Sequence, residues 1–169
     1  MSNGQRAVVL VGHGGVPKDC PPELVRKLKQ LESQRRASGT GPSLDEVEVE
    51  TRIRRWPRTP ANDPYRTGLE LLASYLRPRL NGALFAVAYN EFCDTTLEES
   101  VEELIKKGAT EITVTTTMFT PGGSHSEVEI PESLDQLRNQ HPGIVLRYAW
   151  PFDLDLVATM LSEHLNRFS

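Results

Sequence analysis

Two cysteines, Cys20 and Cys93, are all that the 169-residue sequence offers. They are too few for a disulfide framework, and neither lies in a Cys-x-x-Cys pair, which excludes a disulfide-stapled secreted scaffold and a zinc knuckle. A reduced, cytoplasmic compartment is the expectation. Long apolar runs are missing as well. The apolar stretch 7–11 has the length of a strand, far below the roughly 18 residues that span a bilayer. Residues 1–6 are polar and offer no export signal, so no membrane association is expected. Nor is there an excess of positive charge: 19 Lys and Arg face 23 Asp and Glu for a formal net charge of -4, which gives no reason to expect nucleic acid as a partner. GxGxxG and GxxxxGK[ST] are absent, which removes nucleotide binding, and no GxSxG frame surrounds Ser124. His13 lacks the preceding Arg that a phosphohistidine enzyme needs.

What is present is one domain's worth of globular chain, 38% hydrophobic and 25% charged. The β-branched run at 7–11 stops at Gly12-His13-Gly14-Gly15 and reads as a buried parallel strand. Further strands are expected at 83–89, 110–118 and 143–148. Between them lie amphipathic stretches at 65–80, around Leu97, Val101 and Leu104, and at 128–140, with a terminal helix over 153–168. Residues 21–79 form a long, mainly helical insert after the first strand. Its first helix starts at Pro21-Pro22 and runs to about Arg36. Its second is ambiguous: Ser43-Leu-Asp-Glu46 has the pattern of a capping box, yet Val47, Val49, Thr51 and Ile53 alternate like a strand, and the cap favours the helix. The alternation predicts an α/β chain with a four-stranded, mostly parallel sheet, helices on both faces, and ligands beyond the carboxyl ends of the strands.

Those ends carry His13, Glu91 and His125. Two imidazoles and one carboxylate gathered at one sheet edge can hold a divalent metal with positions left open, or serve as bases near neutral pH. Cys93 reads as a packing thiol, and His141 and His164 as surface or packing histidines.

Three stretches then resemble a known family: the first strand with Gly12-His13-Gly14; Tyr89-Asn90-Glu91-Phe92; and Phe119 through Pro131, in which Gly123, His125, Glu129, Ile130 and Pro131 fill the family's third motif. Together they are similar to the class II chelatases, the CbiX/SirB type of sirohydrochlorin cobalto- or ferrochelatase. The resemblance implies a single flavodoxin-like, chelatase-like domain over 1–169. The activity it implies is that of a lyase which inserts a divalent ion (Co²⁺, Fe²⁺ or Ni²⁺, itself a substrate) into a sirohydrochlorin-type tetrapyrrole, without ATP or an organic cofactor. Such reactions belong to cobalamin and siroheme biosynthesis. His13, Glu91 and His125 carry over as catalytic residues, with His13 and His125 as metal ligands. Gly12, Gly14, Gly123 and Ser124 are expected at the substrate, and pairing as a homodimer is compatible with one copy of each motif. A non-catalytic carrier of metal or metallotetrapyrrole is the competing reading. Within the insert, Arg52, Arg54, Arg55, Arg58 and Arg66 surround Trp56. Arg54 and Arg58 are expected to fork onto tetrapyrrole carboxylates, the alternative being a solvated face paired with Glu46, Glu48 and Glu50 while Trp56 packs.

Overall fold

The structure is a computed structural model that describes residues 4–168; residues 1–3 of the polar N-terminal stretch lie outside the described part. Four strands, β1 (Gln5–Gly12), β2 (Leu84–Tyr89), β3 (Ala109–Thr116) and β4 (Val145–Tyr148), form one sheet in the order β2-β1-β3-β4. Every pairing is parallel, as βαβ connections demand. Helices α1 (Pro22–Ser38), α2 (Leu44–Arg54) and α3 (Pro64–Leu76) lie between β1 and β2; α4 (Leu97–Lys106), α5 (Ile130–Gln140) and α6 (Leu154–Leu165) follow β2, β3 and β4. No helix among the described residues is long and apolar enough to cross a membrane.

Strand alternation sorts the side chains onto two faces. Ala7, Val9 and Val11 of β1 join Ile112, Val114 and Leu146 in the main core, closed by Val101 and Leu104 of α4 and Leu134 and Leu137 of α5. Leu10 points the other way with Phe85 and Val87, onto Leu69 and Ala73 of α3. α3 is therefore the crossover helix that covers β1 and β2. Of the stretch 21–79, only α1 and α2 stand apart from the sheet, sharing a small core of their own from Cys20, Leu28, Val49 and Ile53, which Trp56 and Phe92 flank.

The capping residues explain where the helices begin. Thr96 and Glu99 form a complete capping box at α4. At α2 only half of one exists: the Ser43 hydroxyl accepts from the Glu46 amide, while the Glu46 carboxylate turns to Arg35 at 2.8 Å. That pair ties α2 to α1, and Glu46 is buried as a result. Burial of Val49 and Ile53 at a spacing of four residues settles the helix-strand ambiguity. The helix expected over 65–80 ends at Leu76 and tightens into a single 3₁₀ turn, Arg77–Arg79. The terminal helix forms as expected but buries no residue.

Candidate active site

His13 leaves the end of β1 in a loop fixed by close backbone approach. Gly14 has φ 93°, and a Cβ there would stand 1.8 Å from the Glu91 carbonyl oxygen, so only glycine fits. The Glu91 amide donates to the His13 carbonyl at 2.8 Å and the Asn90 amide to the Gly12 carbonyl at 2.9 Å. The two loops are thus stitched together, and His13 and Glu91 are brought side by side. The His13 amide donates to the Tyr65 hydroxyl at 2.7 Å, which fastens the loop to the start of α3.

His125 arrives differently. After β3 the chain makes one turn of π-helix, His125–Glu129, that runs into α5, a widened turn frequent at functional sites. Ser126 is buried there, its hydroxyl donating to the Met118 carbonyl and its own carbonyl accepting from Tyr148. Burial pushes the Tyr148 phenol up to about 12, so it remains a donor at physiological pH.

The ligand atoms of His13, Glu91 and His125 lie within 4.8 Å of one another. The two imidazoles meet edge to face with centroids 4.7 Å apart, and His125 Nε2 is 3.9 Å from Glu91 Oε1. The partners of each Nδ1 assign the protons. His13 Nδ1 is 2.8 Å from the Gly14 carbonyl, which can only accept; His125 Nδ1 is 2.9 Å from the Glu129 carboxylate and 2.8 Å from the Asn90 amide nitrogen, which itself donates to that carboxylate. His13 Nδ1 therefore carries the proton, and His125 Nδ1 does so when the Glu129 carboxylate is its acceptor, which leaves both Nε2 lone pairs to a metal. Burial raises the Glu129 pKa, but hydrogen bonds from Asn90 and His125 outweigh it and hold the carboxyl below its usual range. Two imidazole nitrogens and one carboxylate oxygen make an incomplete coordination sphere, the kind that leaves room for an incoming substrate.

Beside this trio opens a cleft of about 450 Å³, walled by Glu32, Arg36 and Arg54 of the α1–α2 pair on one side and by Glu91, Ser124 and Glu129 on the other. Its volume is that of a small-molecule site. Ser124 lines the cleft as expected. Gly123 has open space around it, whereas Gly12 packs against Leu69 and Gly14 against Glu91, so these two shape the loop and present nothing to a ligand.

The arginines differ from expectation. Arg58 is enclosed, 3% exposed, with Asp63 beside it at 2%. Its guanidinium donates to Asp63 and to the carbonyls of Gly15, Ile53 and Phe92. It is a clamp that joins the β1 loop, the end of α2, the β2 loop and the α3 start, and it reaches no ligand. Arg54 borders the cleft, yet its guanidinium is taken up by the carbonyls of Cys93 and Asn90 and by Glu50. Trp56 packs and donates to Asp19. Arg36 is the cleft arginine that makes no hydrogen bond or ion pair among the described residues. Sequence reasoning also missed three supports: Tyr65, Asn90 and the positioning part of Glu129. Asn90 stands in the second motif beside Glu91 and Glu129 follows His125 by one helical turn, whereas Tyr65 carried no signal.

The model of the CbiX family matches residues 61–167. The chain belongs to the CbiX family. The match begins just before α3 and leaves β1 and the α1–α2 pair outside it. Among curated proteins, a sirohydrochlorin ferrochelatase from Priestia megaterium is 27% identical over 81 residues, which is 47% of this chain and 30% of that enzyme. Among solved structures, the CbiX protein from Marinobacter aquaeolei VT8 superposes with TM-score 0.50 at 16% identity, covering 96% of this chain and 98% of its own. That likeness shows the α/β fold. Sirohydrochlorin chelatase SirB from Bacillus subtilis subspecies spizizenii, solved with cobalt, matches at TM-score 0.48 and 16% identity, over 96% of this chain and 50% of that one.

Proposed function

We propose that this CbiX-family chain is a tetrapyrrole metal chelatase that inserts a divalent ion, Co²⁺, Fe²⁺ or Ni²⁺, into a sirohydrochlorin-type macrocycle without ATP. The observation that carries the reading is the convergence of His13, Glu91 and His125 within 4.8 Å at the mouth of a cleft. Membership in the family and the partial match to a sirohydrochlorin ferrochelatase support the substrate class.

The chemistry follows from the atoms. A hydrated ion exchanges waters for the two Nε2 lone pairs and the Glu91 carboxylate, a set soft enough for cobalt, nickel or iron and incomplete enough to release the ion to four pyrrole nitrogens. Two pyrrole protons must leave as the metal enters. Glu91 and the imidazoles freed by the departing metal accept them, and the Glu129 carboxylate stabilises the charge that forms on His125. Arg36, the cleft arginine without a hydrogen bond or ion pair among the described residues, is placed to meet a peripheral carboxylate of the macrocycle, the part first assigned to Arg54 and Arg58. Both cysteines are free and buried, which supports a cytoplasmic setting.

A carrier would use the same ligands without turnover. Mixing the protein anaerobically with excess sirohydrochlorin and each metal in turn separates the two. A chelatase forms many equivalents of metallated product per chain, whereas a product yield that stops at one equivalent refutes the chelatase.

A further inference from the structure

Beyond the trio, the carboxyl edge of the sheet carries a second group of side chains that the fold does not use. Phe119 in the loop after β3, and Trp150 and Phe152 after β4, are each half-buried and belong to none of the three cores. They pack on one another instead. Tyr148 and Trp150 lie nearly parallel with centroids 6.3 Å apart, Trp150 meets Phe152 edge to face at 5.7 Å, and Phe152 meets Phe119 at 6.3 Å. The four rings form a continuous ladder. Large aromatics left half-exposed where an α/β sheet binds its ligands offer a surface to a flat π-system.

Register places the ladder beside the site. Tyr148 stands level with Val114 of β3, on the face that α4 and α5 cover. The chain keeps its course past that point, the Ala149 amide donating to the Val114 carbonyl at 2.8 Å, so Trp150, two residues on, shares the face of Tyr148. The Tyr148 hydroxyl donates at 3.0 Å to the carbonyl of Ser126, the residue after His125, and β4 is one strand spacing, about 5 Å, from β3. Between Phe119 and His125 the loop passes through Gly122 and Gly123, where even an added Cβ would meet nothing within 4 Å. That stretch is a low sill without side chains, across which a planar molecule can lie.

The cleft itself holds only part of such a ligand. At about 450 Å³ it lies in the lower half of the small-molecule range of about 300–1,000 Å³, whereas a tetrapyrrole is among the largest of these ligands. With its nitrogens at the trio and an acid arm at Arg36, the macrocycle must project out of the cleft, and the glycine sill lets it project over the π-turn. We propose that the ladder of Phe119, Phe152 and Trp150 is the platform on which the projecting pyrroles stack, with Trp150 as its main contact. The inference rests on the reaction proposed above, for which it names a substrate subsite separate from the metal ligands.

Binding of metal-free sirohydrochlorin to the full chain, followed anaerobically by the macrocycle's own absorbance, reads the platform apart from the metal. Trp150→Ala is expected to weaken this binding about 10-fold. Trp150→Phe keeps a ring and is expected to stay within about 3-fold of the parent, and the affinity for Co²⁺ alone, measured by calorimetry, should match the parent in both variants. A Trp150→Ala protein that binds the macrocycle as tightly as the parent overturns the platform and leaves the reaction standing. Equal weakening by the two variants, or a loss of Co²⁺ affinity in either, also overturns it, because the side chain then supports the fold and does not stack. A parent chain that binds no macrocycle refutes the proposed reaction itself, and the platform falls with it.

Discussion

Replacing Arg58 by Met tests whether this arginine fastens the site or binds its ligand. Its guanidinium lies beside the Asp63 carboxylate, with both side chains almost fully enclosed, and it also serves the carbonyls of Gly15, Ile53 and Phe92. Without it, Asp63 keeps only the Arg66 amide at 2.9 Å and remains a buried, nearly unpaired charge. Removing one member of such a pair costs about 3–5 kcal/mol, a large share of the roughly 5–15 kcal/mol that holds a domain together. At about 2–4 °C per kcal/mol for a chain of this size, the melting temperature should fall by about 6–20 °C. Thermal denaturation at fixed pH, followed by circular dichroism, reads this directly. The double variant with Asp63→Leu should lose less than the two single variants together, because the unpaired charge is gone. An Arg58→Met protein that melts within about 2 °C of the parent while losing tetrapyrrole affinity would refute the clamp and return Arg58 to the ligand.

Three other outcomes are expected. Gly14→Ala forces a Cβ to within 1.8 Å of the Glu91 carbonyl at a φ that alanine disfavours, so Co²⁺ titration should show weakened binding as Glu91 is pushed aside; unchanged affinity would contradict the loop's role. Glu129→Gln can turn its amide N–H toward His125 Nδ1 and move the ring proton to Nε2, so metal affinity should fall about 10- to 100-fold, measured by calorimetry with Co²⁺ alone. Burial raises the Cys93 pKa to about 11 and raises that of Cys20 as well, so neither thiol should react with a disulfide reagent at pH 8 until the chain is unfolded.

Residues whose type and neighbours already declared their task were legible in the sequence. The run into Gly12-His13-Gly14 could only be a buried strand stopped by a turn, and the alternation of such runs with amphipathic helices fixed a parallel sheet whose ends gather His13, Glu91 and His125. Partners distant along the chain were not legible. An arginine cluster reads alike whether it greets a ligand or is consumed by carbonyls, and Arg58 was consumed because three loops converge on it. Tyr65 acts through one hydrogen bond made across 52 residues, and Asn90 through its side-chain nitrogen on His125 and Glu129, 35 and 39 residues away, contacts for which no local pattern exists. For α6, the apolar positions were visible, but helical spacing names a face without naming what covers it.

The central claim is that the three residues at the strand ends perform the metallation. Its most direct test is the initial rate of absorbance change with sirohydrochlorin and Co²⁺, compared among the parent chain, His13→Ala, His125→Ala and Arg36→Ala. The account predicts acceleration over the protein-free reaction that vanishes in both histidine variants, while Arg36→Ala raises KM and spares kcat. Acceleration that persists in either histidine variant would contradict it.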